Sequence, residues 1–210
     1  QDRVDLLAGA NAKQIDAVLA DHHWLKVCEQ VAADQGFFHW ELEFAPVFAT
    51  NGGFDLQVGN PPWVRPRGDV DALMAEGDPW WQLFDKPSVE ERAARRTETL
   101  LAPDIWRLVL DGTADVIGTA AYLGAATNYD ELGGLQPDLY RCFMSTTWAK
   151  GSAIGTIGLL HPESHFTDER AGRLRSSTYG RLRRHWQFAN ELSLFPEVRH
   201  DIPDFGVHVY

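Results

Sequence analysis

The chain has 210 residues, 44% of them hydrophobic and 23% charged, a composition that excludes wholesale disorder and suits one α/β domain with a core, or one domain plus a large insertion. A formal charge of -11 excludes a protein that coats nucleic acid by charge alone, since phosphate neutralisation needs clustered Lys and Arg, but it leaves DNA open as a substrate. No stretch reaches the roughly 18 uninterrupted apolar residues of a membrane span. Cys28 and Cys142 stand far apart without CxxC or Cys/His zinc spacing, and no leader-like segment precedes them, so a cytoplasmic protein in a reducing compartment is expected.

In chain order, the stretch to about Gly36 is predicted helical, with Val18, Leu19, Leu25, Val27, Cys28 and Val31 spaced to cover one side. FFHWELEFAPVF (37–48) alternates apolar and polar residues at period two, the pattern of a strand, and Asn51-Gly52-Gly53 reads as a turn before the short strand FDLQVG (54–59). Residues 64–137 break this rhythm and read as an insertion. Within it, Ser88 and Glu91 make a capping box that opens a helix, and Pro103 interrupts it.

Past Pro137 the pattern is regular again. Asp138 is a candidate N-cap for a helix carrying Leu139, Tyr140, Phe143, Met144, Thr147 and Trp148, and Gly151 closes it. TIGLLHP (156–162) has the continuous apolar run of a central strand. Thr167 then starts an Arg-rich helix to about His185, whose five arginines within 173–186 read as a solvated face. WQFANELSLF and FGVHVY supply two final strands. Strands alternating with helices imply a mainly parallel sheet, with an antiparallel hairpin at its edge.

The strand FDLQVG ends at Asn60-Pro61-Pro62-Trp63, beyond the carboxyl end where open parallel sheets bind ligands. Each proline fixes its own φ and pushes the preceding residue into the extended region, and neither has an N–H with which to pair a neighbouring strand. The Asn60 amide oxygen and the Pro61 carbonyl are thereby left as two nearby acceptors. Two fixed acceptors suit an exocyclic planar amine: holding both hydrogens out of the ring plane favours a tetrahedral nitrogen with a free lone pair, and such preorganised dipoles act best where water is excluded. Trp63 offers a face on which the flat ring can stack, worth roughly 1–3 kcal/mol per base.

GGFDLQVGNPPWV resembles the catalytic motif of the S-adenosylmethionine-dependent amino-methyltransferases, in the form of the N6-adenine DNA methyltransferases. HWELEFAPVF before it, and GTIGLLHPESHF and LRSSTYGRLRRHWQFANELSLFPEV after it, are similar to the large restriction-modification and phage-defence methylases. The resemblance covers about 37–63 and 138–210 as a methyltransferase-like half-domain, with 1–36 a helical segment and 64–137 unmatched. It implies a partial Rossmann-like α/β sheet and a substrate adenine flipped out of DNA at a cost of a few kcal/mol. Asn60 and Pro61 would hold the N6 amine, Pro62 would shape the cofactor side, Trp63 would stack on the adenine, and Phe195, in LFPEV, would pack against the same base.

The family's glycine-rich cofactor loop has no match in the sequence, so no cofactor-binding residue is assigned. The chain resembles the second half of such an enzyme, with an uncovered sheet edge beside FDLQVG, and a methyltransferase N-terminal half and a target-recognition domain or subunit are the partners this implies besides DNA. Pro-Asp at 103, 137 and 203 is accompanied by no Glu-x-Lys, so no nuclease is supported. His161, Glu163 and His165 sit on a loop without a helix to align them, and no metal is expected. Two other classes stay open: a methyltransferase acting on protein glutamine or RNA guanine, and a non-catalytic DNA-binding or assembly module that keeps the fold.

Overall fold

A computed structural model describes residues 15–136, 138–189 and 204–210. The chain divides into two compact units, 1–50 and 51–210. The first is helical: α1 (Ile15–Asp21), α2 (His23–Gln35), α3 (Trp40–Glu43) and α4 (Ala45–Asn51), the last ending at the junction. Gly36 closes α2 in the left-handed conformation at φ 62, giving backbone N–H bonds to the carbonyls of Ala32 and Ala33.

The strand expected over 37–48 is not formed, because most of that run is α3 and α4. Trp40, Phe44 and Phe48 are four residues apart, so one helical side collects them, and the Trp40 and Phe44 rings stack at 5.8 Å. An i, i+4 aromatic series also satisfies a period of two, which is why the alternation misled.

The second unit opens on β1 (Phe54–Gly59). A Cβ at Gly53 would lie 2.5 Å from the Lys150 carbonyl oxygen, so glycine is what lets this turn pack there. The insertion is helical, with α5 (Val70–Ala75), α6 (Trp80–Leu83), α7 (Val89–Thr99) and α8 (Pro103–Gly124). Met74, Ile105 and Val109 form its small core. The expected capping box is made: Glu91 N–H donates to Ser88 Oγ at 3.2 Å and Ser88 N–H to Glu91 Oε2 at 2.9 Å. Pro103 opens α8, as its missing N–H permits.

Next come α9 (Leu139–Lys150), β2 (Gly151–Pro162), α10 (Ser164–Thr167), α11 (Gly172–Arg181), β3 (Arg184–Ala189) and β4 (Asp204–Val209). The Arg-rich helix thus starts at Gly172, not Thr167, and stops at Arg181, because β3 takes residues 184–189 into the sheet. Those arginines are largely spent on the protein itself. Arg173 pairs with Asp130 at 3.0 Å, and Arg181 lies over the Trp148 ring at 5.0 Å.

The sheet is mixed, ordered β1-β2-β4-β3. β1 and β2 run parallel, whereas β4 is antiparallel to both β2 and β3. A mainly parallel sheet is therefore corrected for the described residues. The terminal hairpin is present, and its second strand, not its first, lies against β2. On one face Ile157 and Leu159 pack with Tyr140, Met144, Leu174 and Tyr210 as the main core. On the other, Leu56 and Val58 are 67% and 79% exposed, and Trp186 and Phe188 are about half exposed. β1 is an edge strand, and among the described residues no strand lies on its outer side.

Candidate active site

Gly59 pairs with Leu159, so Asn60-Pro61-Pro62-Trp63 leaves β1 beside the carboxyl half of β2. Asn60 and Pro62 are exposed, Pro61 is buried and Trp63 is half-buried. No peptide bond among the described residues is cis, so both prolines follow trans bonds and the segment stays extended. Among the described residues, neither the Asn60 amide oxygen nor the Pro61 carbonyl receives a hydrogen bond.

Trp63 is tied back over the sheet. Its indole N–H donates to the Leu160 carbonyl at 3.3 Å, and its ring meets Phe205 at 5.6 Å and 38°. The following residues are pinned to the start of α9. Leu139 N–H donates to the Val64 carbonyl at 3.0 Å, while Arg65 reaches Asp138 at 3.2 Å and Gln136 at 2.9 Å. Asp138 does stand at the N-cap position of α9, but it makes no side-chain cap bond and faces Arg65 instead. Burial raises its carboxyl above the ordinary value, against the pull of the Arg65 bond.

Phe195 lies outside the described residues. Asn60 itself is exposed, and two hollows among the described residues lie elsewhere. One is bounded by Trp148, Gly151, Arg181 and Tyr210 at the opposite end of β2, and another by Trp80, Phe84 and Arg95 in the insertion.

A second polar cluster lies at the end of β2 and along the hairpin. His161 stacks on His208 at 3.8 Å and 6°, and its ring nitrogens reach the Pro162 carbonyl at 3.0 Å and the Tyr210 hydroxyl at 2.9 Å. Burial holds His161 well below its ordinary value and pulls His165 down to about 3, so both rings are neutral. His165 is fully buried. Glu163, His185 and His208 converge, each with one ligand atom within 4.8 Å of the others. Sequence spacing directed attention to His161, Glu163 and His165; the convergent set needs the strand register, in which His185 faces His208 across the hairpin.

Beneath this rim, Arg141 is almost fully buried, with Nε 3.0 Å from the Tyr140 hydroxyl and Nη1 2.9 Å from Asp168. The Arg141 bond holds the Asp168 carboxyl below its ordinary range.

No curated protein and no solved structure matches the chain. The model of the Eco57I restriction-modification methylase family matches residues 5–83. That match includes the Asn60-Pro61-Pro62-Trp63 segment and the helices before it, and it runs past the motif into the helical insertion. With the motif at the carboxyl end of β1 and inside the matched region, residues 5–83 are similar to the restriction-modification methylases of that family.

Proposed function

We propose that this chain is the catalytic-strand portion of a site-specific N6-adenine DNA methyltransferase, with Asn60 and Pro61 gripping the exocyclic amine of a flipped adenine. The observation that carries this reading is the pair of unoccupied acceptors: an exposed amide oxygen and a main-chain carbonyl, adjacent in sequence at the tip of an edge strand. An amine with two N–H donors satisfies both, and the bond directions draw its nitrogen toward a tetrahedral, nucleophilic form. Trp63 is held by Leu160 and Phe205, which fixes its ring plane before any base arrives. Pro62 is exposed and is proposed to shape the cofactor side, and Phe195 is retained as a proposed second contact with the base.

No described residue is assigned to hold S-adenosylmethionine. β1 stands at the sheet edge with Leu56 and Val58 bare, and no glycine-rich loop closes a strand beside it. The chain's own share of the chemistry is therefore to orient the amine, stack the base and exclude water from one side. The donor's seat, the rest of the pocket wall and target recognition are assigned to other polypeptide, in a restriction-modification or phage-defence assembly acting in the cytoplasm.

The test is transfer of labelled methyl from S-adenosylmethionine to duplexes with and without adenine, run with the chain alone and with polypeptide carrying a glycine-rich cofactor loop supplied in trans. Label recovered as N6-methyladenine and lost in Asn60→Ala supports the proposal. Label on a glutamine-bearing peptide or on RNA guanine, and never on DNA, replaces it with the other transferase class. DNA affinity unchanged in Asn60→Ala, with no transfer in either format, makes the chain a binding module.

A further inference from the structure

We infer that Glu163, His185 and His208 form a binding site for a single Zn2+-class transition-metal ion that clamps the outer hairpin to the central strand. The three groups come from three adjacent places in the sheet. Glu163 directly follows β2, while His185 of β3 and His208 of β4 are cross-strand partners in the hairpin register. Glu163 Oε1 lies 2.7 Å from His185 Nε2 and 3.2 Å from His208 Nε2. Ligand atoms about 2.0–2.2 Å from one tetrahedral metal stand a little over 3 Å apart, and here all three groups bring a ligand atom within 4.8 Å of the others.

The hydrogen bonding of His208 is the independent sign. Its Nδ1 donates to the Gly206 carbonyl at 3.1 Å, which leaves Nε2 as the ring nitrogen turned toward Glu163. Nε2 is fully buried, makes no hydrogen bond among the described residues, and lies 3.2 Å from Glu163 Oε1. A backbone carbonyl on the far nitrogen of a ligating histidine is also the arrangement that fixes the tautomer in metal sites.

Space has been kept for the arrangement. A Cβ at Gly206 would collide with Glu163 Oε1 and crowd His185 Nε2, so this backbone position lets carboxylate and imidazole meet. Two imidazole nitrogens and one carboxylate favour zinc, cobalt or nickel over magnesium or calcium, which prefer all-oxygen sets. Three protein ligands leave a coordination position open on the side of His185, whose side chain is 30% exposed. This inference does not rest on methyl transfer.

The experiment uses the tag-free chain, Zn2+ competed against a chromophoric chelator, and Co2+ as a spectroscopic probe. One ion per chain is expected, with a Kd in the micromolar range or below and visible Co2+ bands of a low-coordinate nitrogen and oxygen site. His185→Gln, on the partly exposed edge strand, and Glu163→Gln should each weaken binding at least about a hundredfold. His22→Ala with His23→Ala should leave it unchanged. Circular dichroism establishes that each variant is folded. No binding tighter than about 100 μM by folded wild-type protein, or binding undiminished by His185→Gln, overturns the inference.

Discussion

Asn60 and Trp63 are three residues apart, yet their substitutions should behave differently because one is exposed and the other is part of the fold. Asn60 is exposed and makes no hydrogen bond among the described residues, so for Asn60→Ala we expect an unchanged melting temperature with a fall in reconstituted methyl transfer of about 10²–10³, the cost of losing one oriented polar group. Trp63→Ala should lower both, since it deletes the bond to Leu160 and the packing on Phe205. Trp63→Phe keeps a ring and loses the N–H, and its cost should be about 1 kcal/mol in chemical denaturation. Melting curves alongside transfer assays separate the three.

The cysteines make a second contrast at this scale. Cys28 is exposed, whereas Cys142 is buried and desolvation pushes its thiol up to about 11. Titration with a thiol reagent at about pH 8 should count one fast equivalent under native conditions and a second only in denaturant. Two fast equivalents would mean that α9 is not packed as described.

Among the elements, α7 and α11 depend on different forces. α7 starts from the Ser88 and Glu91 box and shows only Thr99 as a buried residue, so local bonding supports much of its first turn. Ser88→Ala should cost about 1 kcal/mol. α11 is held by a fully buried Leu174 in the main core, and Leu174→Ala should cost about 2–5 kcal/mol, depending on how far the cavity closes. Urea melts that show the reverse order would contradict this division.

Across the whole molecule, carboxylates set the response to acid. Asp78 is held below its ordinary value first by the Arg95 guanidinium, at 2.7 and 3.0 Å, and then by Thr99 at 2.9 Å, while Asp168 is held down by Arg141. Because the folded values are the lower ones, unfolding takes up protons. The stabilisation is complete above the unfolded carboxyl value near 3.9 and is lost as pH falls through the folded values. Thermal melts should therefore be flat with respect to these two groups near neutrality and drop steeply below about pH 4. In the double variant Asp78→Asn with Asp168→Asn the melting temperature near neutrality should be lower and the acid slope shallower; an unchanged slope would assign acid sensitivity to other groups.

The sequence by itself determined the features written in local bonding and covalent geometry. These are the capping box at Ser88, the helix from Leu139 to its glycine stop, the short strand before Asn60, and the extended, donor-poor run through Pro61 and Pro62. Each follows from the torsions and hydrogen-bonding groups of neighbouring residues, so no distant contact is needed to infer it. Only the tertiary structure decided the rest. The 37–48 pattern fits either period, since its aromatic residues are four apart, and only the structure shows it mainly helical, with Trp40 stacked on Phe44. β4 rather than β3 lies against β2, and Glu163, His185 and His208 meet, because strand pairing joins residues far apart in the chain, and that choice rests on the summed burial and hydrogen bonding of whole strands.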